Sequence, residues 1–165
     1  SMGADINVSN QQLLNGELRG DLRVRYAKLS GVTVQQELIA NAIDELPILA
    51  IAAACAEGVT YIRGAQELRY KESDRITMLA QGLTALGIKT QVYNDGLAIW
   101  GGTIIGGEIA SGGDHRIAMA FAIAALVAQQ PIIIQDSDNI ATSFPDFVIQ
   151  ARRAGLLIHE ESAYA

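Results

Sequence analysis

Two short charged segments carry the residue types that could do chemistry in this chain. One reads RYKESDR at positions 69–75, and the other reads GGDHR at positions 112–116. Each places cations beside carboxylates just before, or just inside, the start of a predicted helix. A helix start presents unpaired N–H groups and partial positive charge, and arginines added there bind carboxylate or phosphate oxygens bidentately. The two segments therefore predict an anion pocket with a carboxylate available for proton transfer.

The first segment breaks a local rule of helix electrostatics. If a helix begins near Ser73, Lys71 and Glu72 lie at its mouth and Arg75 lies in its first turn. Cations favour the C-terminal end of a helix, and a sequence that departs from such a rule often does so for function. The alternative is a solvated helix start, with Ser73 as the N-cap and Asp74 interacting with the helix dipole.

Similar alternatives stay open at two other helix starts. Arg116 opens a very apolar helix and needs a partner, which is either an anionic ligand or Asp114 or another nearby carboxylate. His115 either donates to a phosphate or is a structural imidazole. Asp44 either caps the buried helix that follows it or orients and deprotonates a substrate hydroxyl, with Glu45 left to interact with the dipole.

Composition restricts the class of ligand. The 165 residues carry a net charge of −6, which argues against non-specific nucleic-acid binding and favours a small anionic ligand held by a local cationic site. No nucleotide-binding loop is present, and His115 and His159 lack the spacing of a zinc site, so we expect a reaction without nucleotide or metal. The apolar runs are too short to span a bilayer and no signal peptide opens the chain, which predicts a cytoplasmic location. The single cysteine, Cys55, lies in an apolar run and is expected to be buried and inert.

An internal repeat becomes visible when Asp44 is laid over Asp114. In each copy an all-round apolar helix is followed by a strand, a polar loop, an amphipathic helix closed by glycine, and another strand. The predicted strands are 59–63, 131–134, 88–93 and 156–160, and the predicted amphipathic helices are 73–86 and 143–154, with Ser143 as the cap and Pro145 in the first turn of the latter. Asn94, Asp95 and Gly96 predict a hairpin turn into a strand at 97–100. Residues 5–8 and 22–26 resemble the closing hairpin of an earlier copy.

Four segments together are similar to the EPSP synthase family (3-phosphoshikimate 1-carboxyvinyltransferase), and their residues resemble those of its bacterial class II branch. They are IDELPILA at 43–50, LRYKESDR at 68–75, DHRIAMA at 114–120 and ATSFPDF at 141–147, in the family's order and spacing. The resemblance covers essentially the whole chain and places it in the C-terminal portion of the family's sequence.

The resemblance implies an α/β fold of repeated βαβαββ units, the enolpyruvyl transferase fold or inside-out α/β barrel, with three units in each of two domains. This chain would hold about two units and the tail of a third within one partial domain. The implied boundaries are 3–34 for the tail of an earlier unit, 35–110 for the second unit and 111–165 for the third.

The implied reaction is transfer of the enolpyruvyl group from phosphoenolpyruvate to the 5-hydroxyl of shikimate 3-phosphate with release of phosphate, a step toward chorismate and the aromatic amino acids, with no cofactor. By motif, Asp44 resembles the proton acceptor that contacts the shikimate hydroxyls, and Glu72 the glutamate that moves a proton at C3. Lys71 resembles the contact to the 3-phosphate. Arg75 and Arg116 resemble the pair that binds phosphoenolpyruvate. Thr142 stands where some members have a substrate-binding lysine.

The resemblance also implies that this chain holds only half of a site formed between two domains. The other half would come from an N-terminal domain of the same polypeptide. We therefore expect no meaningful turnover by the chain alone, and its exposed strand edges predict dimerisation or strand swapping. Two alternatives remain open from the sequence. They are a non-catalytic anion-binding remnant and the related UDP-N-acetylglucosamine enolpyruvyl transferase, although the KESDR and DHRIAMA segments do not belong to the latter.

Overall fold

The computed structural model describes residues 1–161, in which helices alternate with strands. In chain order the elements are β1 (Asp5–Leu14), β2 (Glu17–Arg25), α1 (Gln36–Asn41), α2 (Leu46–Ala54), β3 (Val59–Ile62), α3 (Arg75–Ala85), β4 (Thr90–Tyr93), β5 (Gly96–Trp100), β6 (Gly107–Ala110), α4 (His115–Ala124), β7 (Ile132–Gln135), α5 (Ile140–Ser143) and α6 (Phe147–Arg153). Short 3-10 turns at Ile43–Glu45 and Gln66–Tyr70 precede α2 and α3. The predicted α/β class is confirmed, and residues 1–161 form no closed barrel. None of the helices in this range is long and apolar enough to cross a membrane.

The strands of residues 1–161 form three small sheets, against which the helices pack. β5 pairs antiparallel with both β3 and β4, and Asn94 and Asp95 form the predicted two-residue turn between β4 and β5. β6 pairs in parallel with β7. Residues 29–34 run in parallel beside β3 in the same way, with the Gly31 amide donating to the Glu57 carbonyl at 2.7 Å. A segment that runs parallel to a later strand therefore precedes each of the two apolar helices. β6 lies inside the predicted range 35–110 but pairs with β7, a strand of the range 111–165.

The core is built from α2, α3 and α4 packed on one another and on the sheets. α2 is apolar on every side, as its Ala- and Ile-rich sequence predicts for a helix surrounded by protein. α3 and α4 approach closely because Gly82 has no side chain, and the fully buried ring of Phe121 lies directly against it. This packing places the N-terminal ends of the three helices beside one another.

Two predicted helix ends are confirmed. Gly87 follows α3 and Gly155 follows α6, with φ angles of +88° and +98°. In both cases the glycine amide and the next amide donate to carbonyls of the last helical turn, in the paired pattern that closes a helix through a left-handed residue.

The predicted helix over 143–154 is wrong in one respect, because the chain forms two helices there. Pro145 has no backbone N–H and disfavours helical geometry at the residue before it, and Phe144 has φ −143°. Ser143 is therefore the last residue of α5 rather than the cap of α6, which begins after Asp146.

Three further predictions have mixed outcomes. The hairpin upstream is confirmed and is longer than predicted, since β1 and β2 pair along almost their whole length. The strand expected at 156–160 does not form, because no strand of residues 1–161 lies beside it to complete a ladder. Cys55 was expected to be buried but is exposed at the end of α2.

Candidate active site

Three segments that precede buried helices meet at one place. They are the 3-10 turn Ile43–Glu45 before α2, the loop before α3 and the loop before α4. In the last of these, Gly112 and Gly113 have φ angles of +63° and +72°, a backbone that side chains disfavour, and the turn they make returns the chain to Asp114. The Asp114 carboxylate accepts from the backbone amides of Arg116 at 2.9 Å and Ile117 at 3.4 Å and so caps α4. The convergence of three helix starts gives the site its positive backbone polarity.

A buried ion pair lies at the base of the site. Arg75 is 1% exposed and its Nε donates to Oδ2 of Asp114, which is fully buried, at 2.7 Å. The hydroxyl of Ser73 donates to the same oxygen at 3.1 Å. Neither side chain has access to water, so the buried charge of Asp114 depends on Arg75 for compensation.

Two other carboxylates hold the outer side of the Arg75 guanidinium. Nη1 donates to Oδ1 of Asp44 at 2.9 Å, and Nη2 donates to Oε2 of Glu72 at 2.6 Å. The side chains of Asp44 and Glu72 are 45% and 51% exposed. Arg75 thus has one permanent counter-ion inside the protein and two that face solvent.

Lys71 and Arg116 complete the cluster from either side of Asp44. The Lys71 ammonium lies 3.6 Å from Asp44 Oδ1 and 2.8 Å from a carboxylate oxygen of Glu67. Nη1 of Arg116 donates to the Asp44 backbone carbonyl at 2.9 Å and to the carboxylate of Glu45 at 3.0 Å. Three cations from two segments therefore surround one partly exposed aspartate.

These contacts set the protonation of the site. Partial burial raises the pKa of Asp44, but the hydrogen bond from Arg75 and the charges of Lys71 and Arg116 outweigh it, so the pKa lies below the ordinary 3.8. Burial of Asp114 is likewise outweighed by its bond to Arg75, and its pKa is also lowered. The hydrogen bond to Glu67, with the charge of Asp44, raises the pKa of Lys71. At neutral pH both aspartates are ionised, and Asp44 is a weak base while it stays paired.

The helix caps differ in part from those predicted. Asp114 caps α4 as predicted, but α3 is capped by Asp74, whose carboxylate accepts from the Thr77 amide at 3.1 Å, and not by Ser73. Asp44 lies within a 3-10 turn and makes no cap, so the structural alternative for it is wrong. Its carboxylate is available to the cations instead.

Five of the predicted site residues come together, and two do not contact them. Asp44, Lys71, Glu72, Arg75 and Arg116 are joined by the contacts above. Within residues 1–161, His115 makes no hydrogen bond to this cluster and lies partly buried at the start of α4. Thr142 is exposed on α5, and its hydroxyl donates to the Asn139 carbonyl of the preceding turn.

The sequence left the pairing of charges unresolved. Asp114 was considered as a partner for Arg116, but it pairs with Arg75, while Arg116 reaches Glu45 across the site. The repeat itself held the missing signal. Because Asp114 and Asp44 occupy matching places at the starts of two packed helices, an arginine between those starts can contact both.

Comparisons with known proteins agree on one family. Residues 1–150 match the family model described as EPSP synthase (3-phosphoshikimate 1-carboxyvinyltransferase). The chain belongs to the EPSP synthase family. A 3-phosphoshikimate 1-carboxyvinyltransferase of Nitrosococcus oceani is 54% identical over 157 residues, covering 95% of this chain and 35% of that protein. One of Acidithiobacillus ferrooxidans is 53% identical over 162 residues, covering 98% and 37%.

A solved EPSP synthase from Acinetobacter baumannii has the same fold over this region. It superposes with a TM-score of 0.93 at 45% identity and covers 98% of this chain and 38% of its own. The chain thus spans little more than a third of the length of the EPSP synthases it matches. The elements described above are those of the family, and the rest of such a protein lies outside this sequence.

Proposed function

We propose that this chain supplies one side of an active site that transfers the enolpyruvyl group of phosphoenolpyruvate to the 5-hydroxyl of shikimate 3-phosphate. The observation that carries the proposal is the Asp44 cluster, in which Lys71 and Arg75 from the start of α3 and Arg116 from the start of α4 contact the half-exposed Asp44. Both substrates are polyanions, and paired cations hold such molecules together against their repulsion. The names of the curated relatives agree with this reaction.

Each side chain then has a stated role. Arg75 and Arg116 bind phosphoenolpyruvate, and Lys71 binds the 3-phosphate of the acceptor. Asp44 takes the proton of the 5-hydroxyl as its oxygen bonds to C2 of phosphoenolpyruvate, while C3 gains a proton. Glu72 moves the proton at C3, which is lost again when the C2–O bond to phosphate breaks. Carboxylates suit these steps because general acid and base groups must lie within hydrogen-bond reach of the reacting atoms.

The burial of Arg75 couples substrate binding to basicity. An anion reaches this guanidinium only by replacing Asp44 and Glu72 on its outer side, since Asp114 occupies the inner side. A carboxylate that loses its hydrogen bond to a cation regains a higher pKa. Arrival of phosphoenolpyruvate therefore releases Asp44 as a stronger base at the moment when it is needed, and it frees Glu72 from its bond to Arg75.

The charge balance of the cluster predicts that the chain does not act alone. Its three cations face carboxylates that share hydrogen bonds or ion pairs with them, which are Asp44, Glu45, Glu67, Glu72 and Asp114. A site with more carboxylates than cations repels polyanions. Further cations must come from the remainder of a full-length EPSP synthase. The domain ranges and the cytoplasmic location expected from the sequence stay proposals.

A chimera tests the reaction directly. This chain replaces the matching segment of the Nitrosococcus oceani relative, and phosphate release is measured with both substrates. We expect turnover by the chimera and none by the isolated chain. Asp44→Asn and Glu72→Gln should each lower kcat by roughly 10²–10⁴. Glu108→Gln is the matched control, because the exposed Glu108 side chain on β6 bonds Gln135 and, within residues 1–161, makes no bond to the Asp44 cluster.

Either of two results would overturn the proposal. One is an inactive but folded chimera, and the other is an active chimera that tolerates Asp44→Asn. A chimera that binds shikimate 3-phosphate without turnover would favour the non-catalytic anion-binding alternative.

A further inference from the structure

Arg69 belongs to the charged segment at 69–75 but has no part in the chemistry proposed above. Within residues 1–161 its side chain makes no bond to the Asp44 cluster, and all three of its nitrogens bond elsewhere. Nε donates to the Asn94 carbonyl at 2.8 Å, Nη2 donates to the Tyr93 carbonyl at 2.8 Å, and Nη1 donates to Asp74 at 2.7 Å. The side chain is 25% exposed, so these contacts are only partly screened by water.

The ion pair of Arg69 with Asp74 closes a short loop at its base. Asp74 caps α3 through the amide and hydroxyl of Thr77, so one end of the loop is fixed to a helix of the core. Between the two paired residues lie positions 70–73, which include Lys71 and Glu72. The ion pair between Arg69 and Asp74 therefore limits where the loop can place the side chains of Lys71 and Glu72.

The β4–β5 turn provides a rigid anchor for this loop. β5 is the buried central strand of its sheet. Asp95 in the turn accepts from the Gly64 amide at 2.9 Å, and its carbonyl accepts from the Ala65 amide at 2.7 Å. The turn thus fixes the start of the segment 64–74 through Asp95, and the later part through Arg69.

We propose that Arg69 is a positioning residue, which holds the loop with Lys71 and Glu72 against the β4–β5 turn in the geometry that enolpyruvyl transfer requires. The assignment of a catalytic purpose rests on the function proposed above. A planar guanidinium can make these three bonds in fixed directions, whereas a lysine ammonium is a point charge on a flexible stem. Misplacement of a reacting group by about 1 Å costs on the order of 100-fold in rate.

Arg63 offers a matched control on the same turn. Its Nε donates to Asp95 at 2.9 Å, and its guanidinium lies 4.1 Å from the centroid of the Tyr93 ring. It makes no contact with positions 70–74 in the described part of the chain. Arg63→Lys therefore perturbs the turn to a similar extent without releasing the loop.

The first arm of the test needs no activity. Heteronuclear ¹⁵N NOEs are measured on this chain for the amides of residues 71–73. We expect values typical of rigid backbone in the unsubstituted chain and in Arg63→Lys, and a clear fall in Arg69→Lys. Asp74→Asn should reproduce the fall, because asparagine keeps the helix cap but loses the charge that Arg69 binds. Unchanged NOEs in both variants would overturn the proposal.

The second arm uses the chimera with the Nitrosococcus oceani relative. Arg69→Lys should lower kcat and raise KM for shikimate 3-phosphate, each by about tenfold or more, while Arg63→Lys stays within about twofold of the unsubstituted chimera. A stability defect alone would lower the amount of active protein and kcat but leave KM unchanged. Kinetic constants of Arg69→Lys equal to those of Arg63→Lys would overturn the positioning role. If the unsubstituted chimera is inactive, the proposed function fails, and the NOE arm still decides whether Arg69 holds the loop.

Discussion

Replacing Asp114 with asparagine removes the counter-ion of Arg75 while keeping the size of the side chain. Oδ2 accepts the short bond from Arg75 Nε and the bond from Ser73, whereas Oδ1 accepts from the amides that start α4 and, at 3.4 Å, from Arg75 Nη2. Asparagine has one carbonyl oxygen. If that oxygen continues to accept from the amides that start α4, the side-chain NH₂ of asparagine faces the Nε of Arg75. Two donors then oppose each other, and the hydrogen bond from Arg75 Nε is lost.

The size of the effect follows from the burial of the pair. Removing one partner of a buried ion pair costs about 3–5 kcal/mol. Asp44 and Glu72 still compensate part of the Arg75 charge from the outer side, so we expect the low end, about 3 kcal/mol. For a chain of this size that corresponds to a fall in Tm of about 6–12 °C. Asparagine caps helices as well as aspartate does, so the loss reports the ion pair rather than the cap.

Urea unfolding followed by circular dichroism measures this loss on the chain itself. Asp44→Asn is the matched control, because it removes a second carboxylate of the same arginine from a half-exposed position and should cost no more than about 1 kcal/mol. Equal destabilisation by Asp114→Asn and Asp44→Asn would refute this reasoning. It would mean that the buried pair with Asp114 holds Arg75 no more strongly than its solvent-facing pair with Asp44 does.

Three other predictions concern the fold. Gly82→Ala should destabilise the chain by about 1–3 kcal/mol in the same assay, because the added methyl group overlaps the buried ring of Phe121; a neutral effect would mean that α3 and α4 separate easily. The lowered pKa values of Asp44, Asp74 and Asp114 contribute stability that is present above the ordinary 3.8 and is lost as the pH falls through the lowered values. The urea midpoint should therefore fall with pH in that range, and it should fall less steeply in Asp114→Asn. The same dependence of the midpoint on pH in both proteins would contradict this prediction. The isolated chain should form dimers in sedimentation at micromolar concentration, since the apolar side chains of the β1–β2 hairpin are exposed, and a monomer at all concentrations would refute this.

Local patterns predicted much of the fold because their causes lie within a few residues. The turn at Asn94 and Asp95 and the glycine ends of α3 and α6 depend on backbone geometry that few residues adopt. The apolar helices depend on composition alone. Pro145 is visible in the sequence too. The prediction placed it in the first turn of one helix, whereas in the structure it lies between α5 and α6.

The pairing of charges depended on packing that no local pattern contains. Arg116 pairs with Glu45 and Arg75 pairs with Asp114 because α2, α3 and α4 start side by side, and this arrangement is set by the core. The exposure of Cys55 also depends on packing rather than on composition, since Ala54 and Ala56 on either side of it are buried. The sequence therefore predicted which residues form the cluster, but not which charged side chains pair with one another.

Joint binding of phosphoenolpyruvate by Arg75 and Arg116 can be measured as the KM for this substrate in the Arg116→Lys chimera. Arg116 is one-third exposed, so its replacement should leave the fold intact, and Arg153→Lys at the end of α6 is the remote control. If Arg75 and Arg116 bind phosphoenolpyruvate together, loss of the bidentate guanidinium should raise this KM by about tenfold or more and leave the control unchanged. A KM that is the same in Arg116→Lys, Arg153→Lys and the unsubstituted chimera would contradict the account.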